Sequence, residues 1–122
     1  NYRMITWLKG LIELPFWLRG LVFAAVTVIL LYAGLRPQPI PELFAEEDKL
    51  HHWIGFLVFA FSCRLAFPSV KLRWIALGCL LTGVLIELAQ GLMPLRTASP
   101  YDMLANCIGV LMGLLVARYW LR

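Results

Sequence analysis

The stretch Gly83–Gly113, GVLIELAQGLMPLRTASPYDMLANCIGVLMG, decides how this chain folds. Two apolar runs flank a break at Pro94 to Pro100, and each run keeps its polar residues on one helical stripe. Before the break Gly83, Glu87, Gln90 and Pro94 recur at i, i+4, i+7 and i+11; after it Asp102, Asn106, Gly109 and Gly113 repeat the same offsets. This spacing predicts two helices joined by a short turn, with acids and amides near the turn and glycines farther in. Ser99 is placed to cap the second helix, with Pro100 at its first position. Gly109 and Gly113 form a G-x-x-x-G pair that lets another helix approach closely, either within the chain or in a homo-oligomer.

Composition fixes the solvent. Of 122 residues 61% are hydrophobic and 15% charged, where a soluble domain has roughly 45–50% apolar and about 25% charged residues. A membrane span takes about 20 apolar residues at about 1.5 Å each. Runs at about 16–35, 50–67, 73–93 and 101–119 therefore use nearly the whole chain, leaving no room for a soluble domain. The expected fold is an all-α membrane protein, four transmembrane helices in one domain over 16–122, preceded by a short interfacial amphipathic helix over 1–15. Ile5, Leu8 and Ile12, with Trp7 and Leu11, stand against Arg3, Lys9 and Glu13 in that leading segment, and Pro15 supplies the bend. Pro37, Pro39 and Pro41 end the first span, and Glu42, Glu46, Glu47, Asp48 and Lys49 lead into the second. The first run lacks a cleavage site and a polar mature chain after it, so it is expected to remain as a span.

Cys63, Cys79 and Cys107 fall inside apolar runs without paired spacing, which predicts packing residues and neither disulfides nor a zinc site. No metal and no cofactor are expected. The net charge of +4 comes from basic residues scattered at span ends, a pattern suited to anionic lipid headgroups and not to nucleic acid. Arg3, Lys9, Arg19, Arg64, Lys71, Arg73, Arg118 and Arg122 flank one side of the four spans, against Arg36, Lys49 and Arg96 on the other. The positive-inside rule then places both termini and the Pro68–Arg73 loop in the cytoplasm. The Arg36–Lys49 segment and the Pro94–Tyr101 loop face outward.

On the second span Asp48, His52, Gly55, Phe59 and Ser62 share one helix face, and His51 points about 100° away as a structural or headgroup-facing residue. Trp53, Phe56, Phe59 and Phe61 read as lipid-facing or packing aromatics, Trp53 at the interface. Glu87 falls about 9 Å inward from Met93 on helical rise. A charge there costs roughly 2.5–3.5 kcal/mol, so it should face the bundle interior with a partner, for which Arg96 is the nearest choice. A packing network would explain each polar residue singly. Five of them at one side of so small a chain favour a site.

The pattern D-K-x-x-H at Asp48, Lys49 and His52, E-x-x-Q at Glu87 and Gln90, Arg96, and D-x-x-x-N-x-x-G-x-x-x-G from Asp102 to Gly113 resembles the VanZ-like family of bacterial membrane proteins. The resemblance covers roughly Asp48 to Gly113. It implies a multi-pass protein of the bacterial cytoplasmic membrane, in a family named for a member associated with low-level resistance to the glycopeptide teicoplanin. It implies Asp48, Lys49, His52, Glu87, Gln90, Arg96, Asp102 and Asn106 as the characteristic polar residues; His51 occupies a variable position.

Four functions fit these residues. The first is binding of an anionic headgroup, such as a polyprenyl phosphate or a cell-wall lipid precursor, by Arg96, Lys49 and His52 with Gln90 and Asn106 as amide donors. An enzyme on such a headgroup would use His52 as base or nucleophile, with Glu87 or Asp102 as acid or orienting carboxylate. A transporter or flippase would use Glu87 as a proton site and need an oligomer. An accessory subunit would dock an enzyme through its polar face.

Overall fold

The computed structural model describes residues 10–38, 41–45 and 47–121. Most of the expected interfacial helix, residues 1–9, lies outside the described residues. Gly10 and Leu11 are helical, and the chain then turns through Leu14 to an extended Pro15 (φ −60, ψ 149). Four helices follow, and no strand occurs among the described residues: α1 Phe16–Leu35, α2 Glu47–Ala66, α3 Leu72–Gly91 and α4 Pro100–Trp120.

Proline sets most of these limits. Arg36 is driven to φ −64, ψ 141 because Pro37 follows it, and α1 stops one residue earlier. Before Pro94 the α3 helix closes with short turns, Leu92 N–H to Ala89 O (3.2 Å) and Met93 N–H to Gln90 O (3.1 Å), so it ends two residues before the expected Met93. Pro100 opens α4, and Ser99 Oγ accepts from Tyr101 N–H at 3.2 Å. The start of α2 differs most: Glu47 and Asp48 lie in its first turn, three residues before the apolar run. Acids there complement the helix dipole, and the Glu47 carboxylate also accepts the Leu43 N–H.

Three helices, α1, α3 and α4, are long and apolar enough to cross a membrane. The expectation of four is met in length only, since α2 also has 20 residues but carries Glu47, Asp48, Lys49, His51 and His52 near its start and Arg64 in its last turn. Its position explains how it tolerates them. It packs mainly against α4 and also against α1 and α3.

Glycine makes that packing close. A Cβ at Gly109 would strike the Trp53 carbonyl oxygen, and one at Gly113 the Leu57 carbonyl oxygen. The G-x-x-x-G pair is thus spent within the chain, on the α2–α4 crossing. Phe56, Phe59, Ala60, Ile75, Cys79, Ile86, Val110 and Leu114 form the core around it, and Leu65, Ala117 and Leu121 a second cluster at the far end. Of the four aromatics on α2, Phe56 and Phe59 are core and Trp53 donates to Met112 Sδ. The cysteines are free thiols, with Cys79 in the core. Leu, Ile and Val side chains of α1, α3 and α4 cover the outside, as hydrocarbon requires.

Arginine satisfies carbonyls at the end of the bundle where α2 stops. Arg19 donates from Nη1 to Leu65 O (2.7 Å) and Ala66 O (3.4 Å), capping α2, and from Nε to Leu14 O (2.8 Å). Arg64 Nη1 reaches Pro68 O (2.6 Å) and Val70 O (2.8 Å), closing the α2–α3 turn. These bonds meet carbonyls that hydrocarbon would leave unsatisfied.

Candidate functional site

The C-termini of α1 and α3 and the N-termini of α2 and α4 meet at one end of the bundle, where a half-open cavity of about 240 Å³ forms. Its flank is apolar, from Leu30, Ala33 and Gly34 on α1, Phe56 on α2, Ile86 on α3 and Leu95. Its polar lining is Glu42, Asp48, His51, His52, Gln90, Arg96, Thr97 and Asp102.

The α2–α4 crossing sets the chemistry. With Gly109 against Trp53, Asn106 comes level with His52 one turn nearer the cavity. Asn106 is fully buried, and its Oδ1 lies 2.8 Å from His52 Nδ1. An amide oxygen only accepts, so the ring donates from Nδ1. The neutral imidazole then keeps its lone pair on Nε2, which stands 3.9 Å from Asp102 Oδ2.

Glu87 enters from α3. Its Oε1 is 3.8 Å from His52 Nδ1, and its Oε2 accepts the Ser99 backbone N–H at 3.1 Å. The hydrogen bond to Glu87 thus comes from Ser99, and Arg96, the partner expected from the sequence, acts on the carboxylate through its charge alone. Arg96 instead donates from Nη1 to Arg36 O (3.2 Å) and Ala33 O (3.5 Å), binding the α3–α4 turn to the carbonyl end of α1. Folding the turn back over the bundle brings a backbone N–H to Glu87 before a guanidinium nine residues away can reach it. Gln90 makes a second tie to α1, from Nε2 to Gly34 O at 3.0 Å.

Of the eight polar residues singled out, Asp48, His52, Gln90, Arg96 and Asp102 line the cavity. Glu87 and Asn106 lie behind His52 and address the ring. Lys49 is not part of the lining. His51, set aside in the sequence, does line it, half exposed and 3.4 Å from Glu47 Oε1. Glu42 is a further lining residue, and desolvation, then the neighbouring Asp48 charge, push its carboxyl above the usual range. Neither had a signal in a helix-stripe reading. Glu42 sits in a loop, and a rim can be lined by residues off the stripe.

The arrangement offers an oriented histidine, two buried acids beside it, and an arginine at the mouth. It can hold a polar group by hydrogen bonds and exchange a proton at His52 Nε2. A family model described as VanZ/LLP1 matches residues 11–122. No curated protein and no solved structure matches the chain.

Proposed function

The chain belongs to the VanZ-like family, and from that membership together with the geometry of the cavity we propose that it binds the headgroup of an anionic envelope lipid or lipid-linked cell-wall precursor. In this reading it is a four-span protein of the bacterial cytoplasmic membrane, with both termini cytoplasmic and the cavity at the outer face. The supporting observation is the cavity's two-sided lining: an apolar flank of Leu30, Phe56 and Ile86 beside a polar floor of His52, Gln90 and Asp102. An acyl or prenyl chain lies along the first, and its headgroup enters the second.

Arg96 receives the phosphate. Its two described bonds both leave from Nη1, and the remaining donors of the fork serve the ligand. Glu42 and Asp48 suit hydroxyl or ammonium groups of the same headgroup. Sequestering a cell-wall precursor would connect such binding to the teicoplanin phenotype for which the family is named. Mass spectrometry of lipids retained by the purified chain tests this: a phosphate-bearing lipid should be retained and lost from Arg96→Ala. Equal retention by both proteins, or no retained lipid, overturns it.

The orientation of His52 favours one alternative, an enzyme acting on that headgroup. His52 Nε2 would take a proton beside Asp102, while Asn106 holds the tautomer. Turnover of the retained lipid that disappears in His52→Ala, with binding kept, would select this reading.

A further inference from the structure

We propose that His52, Glu87 and Asp102 form a binding site for a divalent transition-metal cation, Zn²⁺ by preference. This goes beyond headgroup binding and does not rest on it. The three residues come from three different helices, and one donor atom from each lies within 4.8 Å of the other two. Metal–ligand bonds of about 2.0–2.2 Å place neighbouring donors roughly 3–3.5 Å apart; Asp102 Oδ2 already stands 3.9 Å from His52 Nε2, and Glu87 Oε1, now 3.8 Å from Nδ1, rotates toward the Nε2 side to close the set.

Two observations turn this cluster into a site. First, Glu87 is more than nine-tenths buried, and its Oε1, turned toward His52, has no hydrogen-bond partner. A buried carboxylate oxygen left so is costly unless something cationic meets it. Secondly, His52 is already held as a metal ligand is held: Nδ1–H donates to a buried side-chain oxygen, which fixes the ring and leaves Nε2 to coordinate. A dication also matches the two negative charges that Glu87 and Asp102 carry as metal ligands, any protons they hold being released on binding.

The donor set chooses the metal. One imidazole with two carboxylates suits Zn²⁺ or Mn²⁺, and the Irving–Williams order favours Zn²⁺; Ca²⁺ asks for six to eight oxygens and Mg²⁺ for a near-ideal octahedron of them. Three protein ligands leave a position open, as in catalytic rather than structural zinc sites. The cavity adjoins through His52 and Asp102, so the open position faces the ligand space.

The full chain, tag removed and stripped with chelator in detergent, is titrated calorimetrically with Zn²⁺ and separately with Mg²⁺. One Zn²⁺ per chain is expected, held more tightly than Mg²⁺. The isosteric variants Glu87→Gln and Asp102→Asn, and His52→Ala, should each weaken Zn²⁺ at least roughly tenfold, with helix content by circular dichroism checking the fold. Co²⁺ loaded in place of Zn²⁺ should show a visible band that His52→Ala removes. His51→Ala and Arg96→Ala should keep both. No stoichiometric Zn²⁺, or Zn²⁺ binding unchanged in the folded isosteric variants, overturns the site. Zn²⁺ retained by Arg96→Ala while its lipid is lost separates this inference from the headgroup reading.

Discussion

The ring of His52 and the amide of Asn106 join α2 to α4 through a 2.8 Å hydrogen bond, one turn from the point where Gly109 lets the two helices touch. Close packing and polar chemistry are thus one structural unit. The glycine contact sets the register, and the register aims the imidazole.

Asn106→Leu should therefore disturb both stability and site. It leaves the Nδ1–H of His52 without its acceptor in a buried setting, an expected loss of about 1–3 kcal/mol. A lower midpoint in thermal or denaturant unfolding checks this. Stability equal to that of the parent chain would mean that water or another oxygen replaces the amide.

Glycine substitutions should divide by location. Gly113→Ala drives a Cβ into the Leu57 carbonyl, and an overpacked crossing costs about 1–3 kcal/mol. Gly78→Ala on α3 meets nothing within 4 Å and should be neutral or stabilising by about 0.5–1 kcal/mol through helix propensity. Paired melting curves measure the contrast, and equal effects would contradict the close α2–α4 contact.

Arg19→Leu removes the donors to Leu14, Leu65 and Ala66 at the far end of the bundle. Hydrogen bonds from a charged donor contribute about 1.5–3 kcal/mol. The expected result is destabilisation of about that size, with faster amide exchange in the last turn of α2. Unchanged exchange there would show that the cap is dispensable.

Topology separates three crossings from four. If α2 spans, the two chain ends lie on one side of the membrane; if it does not, they lie on opposite sides. Single-cysteine variants in a chain freed of its own cysteines, Ala45→Cys and Ser69→Cys, bracket α2 and should label from opposite faces with an impermeant maleimide. Ala45→Cys is expected to react from outside. Labelling of both from one side would remove α2 as a span and the proposed topology with it.

Local signals carried far along this chain. The bounds of α1 follow from Pro15 and Pro37, and the Ser99 cap from a serine ahead of Pro100, because a proline ring and a hydroxyl act within one turn. The start of α2 was harder to read. Apolarity marks position 50, whereas the helix begins at Glu47, since acids that interrupt a hydrophobic run still favour a first turn. The three stripes that carry His52, Glu87 with Gln90, and Asp102 with Asn106 were visible as helical spacing. Which of them face the cavity was not, nor that His51 and Glu42 join them.

By itself the sequence determined the helices, their membrane character and the end of the bundle at which polar residues gather, because proline, periodicity and apolar length act over a few turns. Only the tertiary structure decided which partners meet. It spent Gly109 and Gly113 inside the chain, turned Arg96 to the carbonyls of α1, and brought Glu87 to the Ser99 N–H and beside Nδ1 of His52. Those pairings depend on how closely α2 and α4 approach and how the α3–α4 turn folds back. Both are set by contacts between helices far apart in sequence, which local spacing does not encode.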